Sequence, residues 1–271
     1  MKPDFDKPAP ARSRQYVVTR RLDRTFLTLH SVYSFVLRFF KEVFFPPYEF
    51  GEIIRQCYEV GVRSLPLISL TGFIIGIVFT NQSRPSLQDL GAAALLPALI
   101  AVAIVRALAP LVTSIIAAGR VGSSIGAELG SMKVTEQIDA MEVSATNPYK
   151  FLVVTRVLAT TFMIPVLTMY TMLVSLFGGW LNIRANELTS LTSFINQVFE
   201  AIQFLDIFSS LVRSLVFGFT IGMVGCYKGY HSSKGTEGVG KSANSSVVTA
   251  MFLIFIEELL ILQVVNAIRY L

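Results

Sequence analysis

The chain has 271 residues, 53% of them hydrophobic and only 15% charged, against the ~25% charge of soluble domains. That balance excludes water as the only solvent for the surface and suits one compact membrane domain. A net charge of +5 would admit a nucleic-acid partner, but the basic residues crowd the N-terminus and the connections between apolar runs, as in a membrane protein with a cytoplasmic face.

Residues 1–25 form a polar tail with Asp4, Asp6 and several prolines. It lacks the apolar run of a signal peptide and is expected to stay in the cytoplasm. From 26 to 45, Phe26, Leu29, Tyr33, Val36, Phe40 and Phe44 recur every three or four residues, making one apolar helix face. Arg38 and Lys41 interrupt it too early for a crossing of ~20 apolar residues, so the segment reads as an amphipathic helix in the headgroup plane. Pro46-Pro47 is expected to break it.

Five longer apolar stretches follow, near 62–82, 91–118, 151–181, 207–230 and 247–268. Each can cross ~30 Å of hydrocarbon as a helix. The fold class is therefore an all-α polytopic membrane protein: an N-terminal tail, then a membrane domain over 26–271 with an interfacial helix and five spans. Eighteen of the 23 Lys and Arg residues fall in the N-terminal part or around the second-to-third and fourth-to-fifth connections. The positive-inside rule then places the N-terminus in the cytoplasm and the C-terminus across the membrane. Three Gly-x-x-x-Gly pairs, Gly72/Gly76, Gly218/Gly222 and Gly225/Gly229, allow close helix contact, within one subunit or between two.

Two cysteines (Cys57, Cys226) and two histidines (His30, His231) cannot assemble a recognisable metal site, and all four read as structural or incidental. Gly235 to Ser242 fits G-x-x-x-x-G-K-[ST], the phosphate loop of NTPases. That loop needs a strand before it and a nucleotide-binding sheet around it. Between two membrane spans it reads instead as a glycine-rich cytoplasmic turn with Lys241 at the membrane edge. No cofactor is expected on this chain.

Charges inside the spans carry more information, because each costs at least ~2.5 kcal/mol at the bilayer centre. Arg106 lies in the second span, and Glu257 and Glu258 lie in the fifth. Arg106 and Glu258 are expected either to face a shared polar cavity or to form a buried pair that locks packing. Between spans, Val134, Ile138 and Met141 fall at i, i+4 and i+7, predicting a short amphipathic helix with Thr135 as its cap and Glu136 near its positive end. Asn147-Pro148 would close it. Such a helix can fill a groove on a partner or rest on its own subunit.

The run AAGRVGSSIGAELGSMKVTEQIDAMEVSATNPYKFLVVTRVLA resembles the signature of the MlaE/YrbE-type permeases of phospholipid ABC transporters, which work with MCE-domain proteins. The run CYKGYHSSKGTEGVGKSANSSVV is similar to that family's second cytoplasmic loop, and the likeness extends over nearly all of the chain after residue 25. The resemblance implies an inner-membrane homodimer with two cytoplasmic ABC ATPases, which bind ATP and Mg, and an MCE-domain protein on the periplasmic side. Phospholipid or a related lipid would occupy a cavity between subunits, lined here by Gly76, Thr80, Asn81, Arg84, Arg106 and Glu258. A coupling helix would engage the ATPase through Glu128, Val134, Glu136, Ile138, Asp139 and Met141. The phosphate-loop lookalike would fall in the family's G-x-G-V-G-[RK] turn. Relatives carry Glu after the second-span Arg where this chain has Ala107, and often Asp at Glu258.

On this reading the chain is not itself an enzyme. An ion-coupled secondary transporter using Arg106, Glu257 and Glu258 is the alternative; five spans without an inverted repeat fit it poorly. A non-transporting scaffold would have little use for charges within two different spans.

Overall fold

The computed structural model describes residues 14–46, 48–187 and 190–269, and the regular structure of these residues is all helical. One compact unit is α1 (Arg14–Val43). Its helix is already formed at Arg14 and ends at Val43, ahead of Pro46. Residues 1–13 of the expected tail and Pro47 lie outside the described residues.

The second unit begins at Phe45. It holds α2 (Phe50–Val60), α3 (Leu65–Asp89), α4 (Leu96–Ala103), α5 (Ala109–Ala117), α6 (Ser123–Val134), α7 (Gln137–Val143), α8 (Thr155–Glu187), α9 (Leu191–Ala201), α10 (Phe204–Tyr230) and α11 (Thr236–Arg269). Short 3-10 turns or π-helical segments join several of these end to end, giving five rods long and apolar enough to cross a membrane: Phe50–Asp89, Ala93–Val134, Tyr149–Ala185, Phe204–Tyr230 and Thr236–Ala267. The five expected spans are all present, and every one is longer than its apolar run. The second rod has 42 residues, or about 63 Å at 1.5 Å per residue, twice the hydrocarbon thickness, so much of it projects beyond the membrane.

The third rod is the axis of the bundle. Its α8 packs against α2, α3, α5 and α10, and 61% of its most apolar stretch is buried, against 22% for the first rod and 11% for the fifth. Backbone proximity explains how α8 holds so many neighbours. A Cβ on Gly76 would collide with the carbonyl of Ser175; one on Gly178 would lie 2.6 Å from the Phe73 carbonyl oxygen, and one on Gly218 would lie 2.6 Å from that of Thr160. The first two glycine pairs therefore face α8, and Gly225/Gly229 face Ile125 and Leu129 of α6, so all three pairs pack within one subunit. Hydroxyl groups stitch the same seams: Ser175 Oγ donates to the Gly72 carbonyl at 2.8 Å and Thr113 Oγ1 to Thr171 Oγ1 at 2.7 Å.

At the end of the bundle away from α7, amphipathic α9 lays Phe194 and Val198 onto Leu96, Ile100, Trp180 and Ile183. Ser190 caps it, its Oγ accepting from the Ser193 N–H at 3.2 Å.

Gly76→Ala is expected to destabilise the folded protein by about 1–3 kcal/mol or more through overpacking against backbone. Gly51→Ala, where an added methyl meets nothing within 4 Å, should leave it as stable or slightly more so. Thermal midpoints of the purified proteins in one detergent would check both.

Candidate functional site

Pro110 sits in the first turn of α5 and has no N–H to give to the carbonyl four residues back, that of Arg106. The ladder widens there into a π-helical segment over Ile104–Leu108. The released Arg106 carbonyl accepts a hydrogen bond from Arg213 Nη1 of α10 at 2.8 Å. The same Nη1 lies 2.7 Å from Glu258 Oε1 of α11. The Arg106 guanidinium turns to Asp206 at the start of α10, with Nε 2.8 Å from Oδ1 and Nη2 2.9 Å from Oδ2.

The expected Arg106–Glu258 pairing is thus replaced by two pairs, Arg106–Asp206 and Arg213–Glu258, linked through the Arg106 backbone. The exchange has a physical reason. Asp206 is fixed by a capping box with Gln203, whose backbone N–H donates to Oδ2 at 3.1 Å, so it is pre-aimed at the second rod. Arg213, only 3% exposed, requires a carboxylate within reach, and Glu258 supplies it. Beside this network Thr220 Oγ1 donates to Glu257 Oε1 at 2.5 Å. The second oxygens of Glu257 and Glu258 are buried and have no hydrogen-bond partner among the described residues. Arg106 remains 32% exposed. The cluster therefore offers two acceptor oxygens and one partly open cation to a polar visitor.

The other residues expected to line a cavity lie on α3. Gly76 and Thr80 are buried in its seam with α8, where Thr80 Oγ1 donates to the Gly76 carbonyl at 2.7 Å. Asn81 is exposed, and Arg84 Nη2 donates to Asn182 Oδ1 of α8 at 2.9 Å. Gly76 and Thr80 thus build the wall, whereas Asn81 and Arg84 present polar groups beside Asn182.

At the opposite end, α6, α7 and their connection carry the second expected set. Glu128 of α6 lies 2.8 Å from Nη2 of the buried Arg156. The predicted single helix through Val134 and Met141 is divided in two. Val134 ends α6, Thr135 closes it by donating its hydroxyl to the Ser131 carbonyl at 2.9 Å, and Glu136 turns the chain in the left-handed region at φ 58°. Thr135 is therefore the end of one helix rather than the cap of the next, and Glu136 gives α7 no side-chain cap. A Lys133–Asp139 pair at 2.8 Å spans the turn. Ile138 is buried against its own subunit, and Met141 lines an apolar groove of about 410 Å³ with Gln137, Ala140, Ser144, Thr146 and Phe151. Asn147-Pro148 does not close α7, which ends at Val143. Asn147 Oδ1 instead accepts from the Lys150 N–H at 3.3 Å and opens the third rod.

The phosphate-loop lookalike is not a turn either. After Gly235, at φ 92°, the chain is helical from Thr236, and Ser242 Oγ donates to the Gly126 carbonyl of α6 at 2.9 Å. No strand precedes it among the described residues, so the arrangement that cradles phosphate is lacking.

Asp206, Arg213 and Thr220 were the site residues that sequence reasoning did not single out. Pro110, four residues after Arg106, was the signal that a hydrogen-bond donor from another helix would be needed at that backbone.

These features define a multi-pass helical membrane protein with a charged cluster held between its spans. The chain belongs to the MlaE permease family: the profile of that family, described as Permease MlaE, matches residues 53–264. It is 35% identical over 236 residues to a probable ABC transporter permease protein of Rickettsia prowazekii, covering 87% of this chain and 90% of that protein. A probable ABC transporter permease protein of Synechocystis is 37% identical over 205 residues, or 76% of this chain and 78% of its own length. One of Porphyra purpurea is 38% identical over 202 residues, 74% of this chain and 76% of the relative.

Reversing the observed pair, Arg106→Asp with Asp206→Arg, is expected to recover much of the ~3–5 kcal/mol that either single change costs. Reversing Arg106 with Glu258 should recover none. Folded yield and thermal midpoint of the four single and double variants would decide between the two pairings.

Proposed function

We propose that this chain is the membrane-spanning subunit of an ABC transporter that moves phospholipid or a related lipid between the inner membrane and a periplasmic MCE-domain protein. The observation that carries this reading is membership of the MlaE family together with relatives named as ABC transporter permeases. The chain performs no catalysis of its own; two cytoplasmic ATPase subunits supply the energy and hold the ATP and Mg. The distribution of Lys and Arg supports an N-terminus in the cytoplasm and a C-terminus in the periplasm.

The working unit is a homodimer. Supporting this, α11 exposes Val248, Phe252, Phe255, Leu259 and Leu262 at alternating steps of four and three residues, the spacing of a helix–helix seam. Lipid occupies a cavity whose polar contacts are Asn81, Arg84, Arg106 and Glu258, with Gly76 and Thr80 holding its wall. A phosphate-bearing headgroup suits Arg106, which keeps an open face, and the unpartnered oxygens of Glu257 and Glu258 suit headgroup hydroxyl or ammonium donors. On the cytoplasmic side, Glu128, Val134, Glu136, Ile138, Asp139 and Met141 form the ATPase-coupling region, and the apolar groove at Met141 receives a side chain of that partner. Nucleotide-driven movement of α7 then shifts the population between open and closed cavities.

Purification of the intact assembly should bring down an ATPase subunit and retained lipid detectable by mass spectrometry. Met141→Asp, at the half-buried groove, is expected to lower ATP-dependent lipid transfer about tenfold or more, from the loss of a buried apolar anchor, with the permease still folded. Full transport by this polypeptide without any nucleotide-hydrolysing companion would overturn the proposal and favour ion coupling through Arg106, Glu257 and Glu258.

A further inference from the structure

At the α7 end of the bundle, a cavity of about 460 Å³ opens between α2 and the second rod, lined by Arg55, Gln56, Glu59, Arg63, Arg120 and Glu128 among others. That volume falls within the range of roughly 300–1,000 Å³ typical of small-molecule sites. An adjoining cavity shares Arg55 and Glu128 and adds Glu52 and Arg156.

The charges around these cavities do not balance. Arg55 lies 3.4 Å from Glu52, Arg63 lies 2.7 Å from Glu59, and Arg156 lies 2.8 Å from Glu128. Among the described residues, those three pairs use every carboxylate that lines the two cavities. Among the described residues Arg120, the fourth guanidinium, bonds only neutral acceptors: its Nη1 donates to Ser64 Oγ at 2.5 Å and to the Glu59 carbonyl at 3.4 Å. Its bonds to the chain thus use Nη1 alone, leaving Nε and Nη2 of a rigid planar fork for another acceptor.

The helix that walls the cavity also points to the source of that acceptor. On its outer side Phe50, Ile54 and Tyr58, continued by Val62 in the turn after it, repeat every fourth residue and are 66%, 70%, 54% and 45% exposed. The side facing the cavity carries Arg55, Glu59 and Arg63. A helix with an apolar outer stripe and a cationic flank, at the end of a membrane rod, sits at headgroup depth.

We propose that this cavity binds a phosphate group, with Arg120 as its principal contact and Arg63 and Arg55 at the rim. The apolar stripe of α2 favours the headgroup of a phospholipid in the adjoining leaflet over a free phosphate ester. The site is distinct from the Arg106 cluster, since Arg106 and Arg120 are fourteen residues apart on one rod, about 21 Å. It does not depend on the transport reading.

The test is native mass spectrometry of the full-length protein with its co-purifying partners, titrated separately with phosphatidylglycerol, with diacylglycerol as the phosphate-free lipid, and with inorganic phosphate. Phosphatidylglycerol should form an adduct that diacylglycerol does not. Arg120→Gln, which keeps a hydrogen-bonding side chain, should weaken it about tenfold or more. Arg120→Lys, which keeps the charge but not the fork, should bind more weakly than wild type and more tightly than Arg120→Gln, and the Arg120-dependent adduct should persist in Arg106→Gln. An Arg120-dependent adduct with inorganic phosphate would uphold the phosphate site and assign it to a soluble ester. Equal adducts in wild type and Arg120→Gln, or equal binding of diacylglycerol, would overturn the proposal. So would loss of binding in both Arg120 variants together with a fall in thermal midpoint, because Arg120 would then be only a clasp on Ser64.

Discussion

A carbonyl freed inside an apolar layer has no water to turn to, and the rest of the charged cluster follows from how this protein answers that constraint at Arg106. Pro110 removes the donor that an unbroken helix would supply, and Arg213 reaches across from α10 to replace it at 2.8 Å. Bringing a guanidinium there to 3% exposure obliges a carboxylate to follow, which places Glu258 of α11. The Arg106 side chain, displaced from Glu258, is taken by Asp206. One missing N–H is therefore connected to the register of three rods.

That connection ties rigidity to openness. The α8 seams with α3 and α10 are closed by glycines and hydroxyls at backbone distance, and they leave no space for a ligand. On α11, by contrast, only 11% of the most apolar stretch is buried. The contacts of its two glutamates, Arg213 to Glu258 and Thr220 to Glu257, use one oxygen of each and leave the other without a partner among the described residues. The closely packed seams lie around α8, and the two unpartnered carboxylate oxygens lie on α11 beside α10. A charged cluster between spans needs both properties, because a surrounding wall that repacked freely would lose the geometry that holds its pairs together.

The sequence was informative where physics is local or one-dimensional. Five apolar runs must cross the bilayer because each is long enough to do so and too apolar to remain in water, and all five rods are present. Cationic and acidic residues within them were legible as costly. Pairing was not legible, because it depends on which rods are neighbours and at what height: Arg106 meets Asp206 a hundred residues away. Helix ends were misread for a related reason. Thr135 and Asn147 each have the chemistry to begin or to end a helix, and the choice was made by tertiary features such as burial of Ile138 and the Lys133–Asp139 pair across the turn. Likewise, glycines at Gly238 and Gly240 suggested a turn, yet the segment is helical because its Ser242 docks on Gly126.

The second rod runs from the Arg106 cluster to the end of the bundle that carries α7. Its α-helical stretches are interrupted by π-helical segments over Ile104–Leu108 and Ala118–Gly122, the first holding Arg106 and the second holding Arg120. A π-helical segment carries one residue more than the regular ladder and can return it to the α form by a shift of a single register step. Such a shift at Ala118–Gly122 would rotate α6, with Glu128 and the attached α7, relative to α5. A shift at Ile104–Leu108 would withdraw the Arg106 carbonyl from Arg213. Both arginines are held by partners on other helices, Arg120 by Ser64 and Arg106 by Asp206, so neither register can change without breaking a buried polar contact. Either shift therefore costs a polar contact to another helix, which ties each π-helical segment to its neighbour in the bundle.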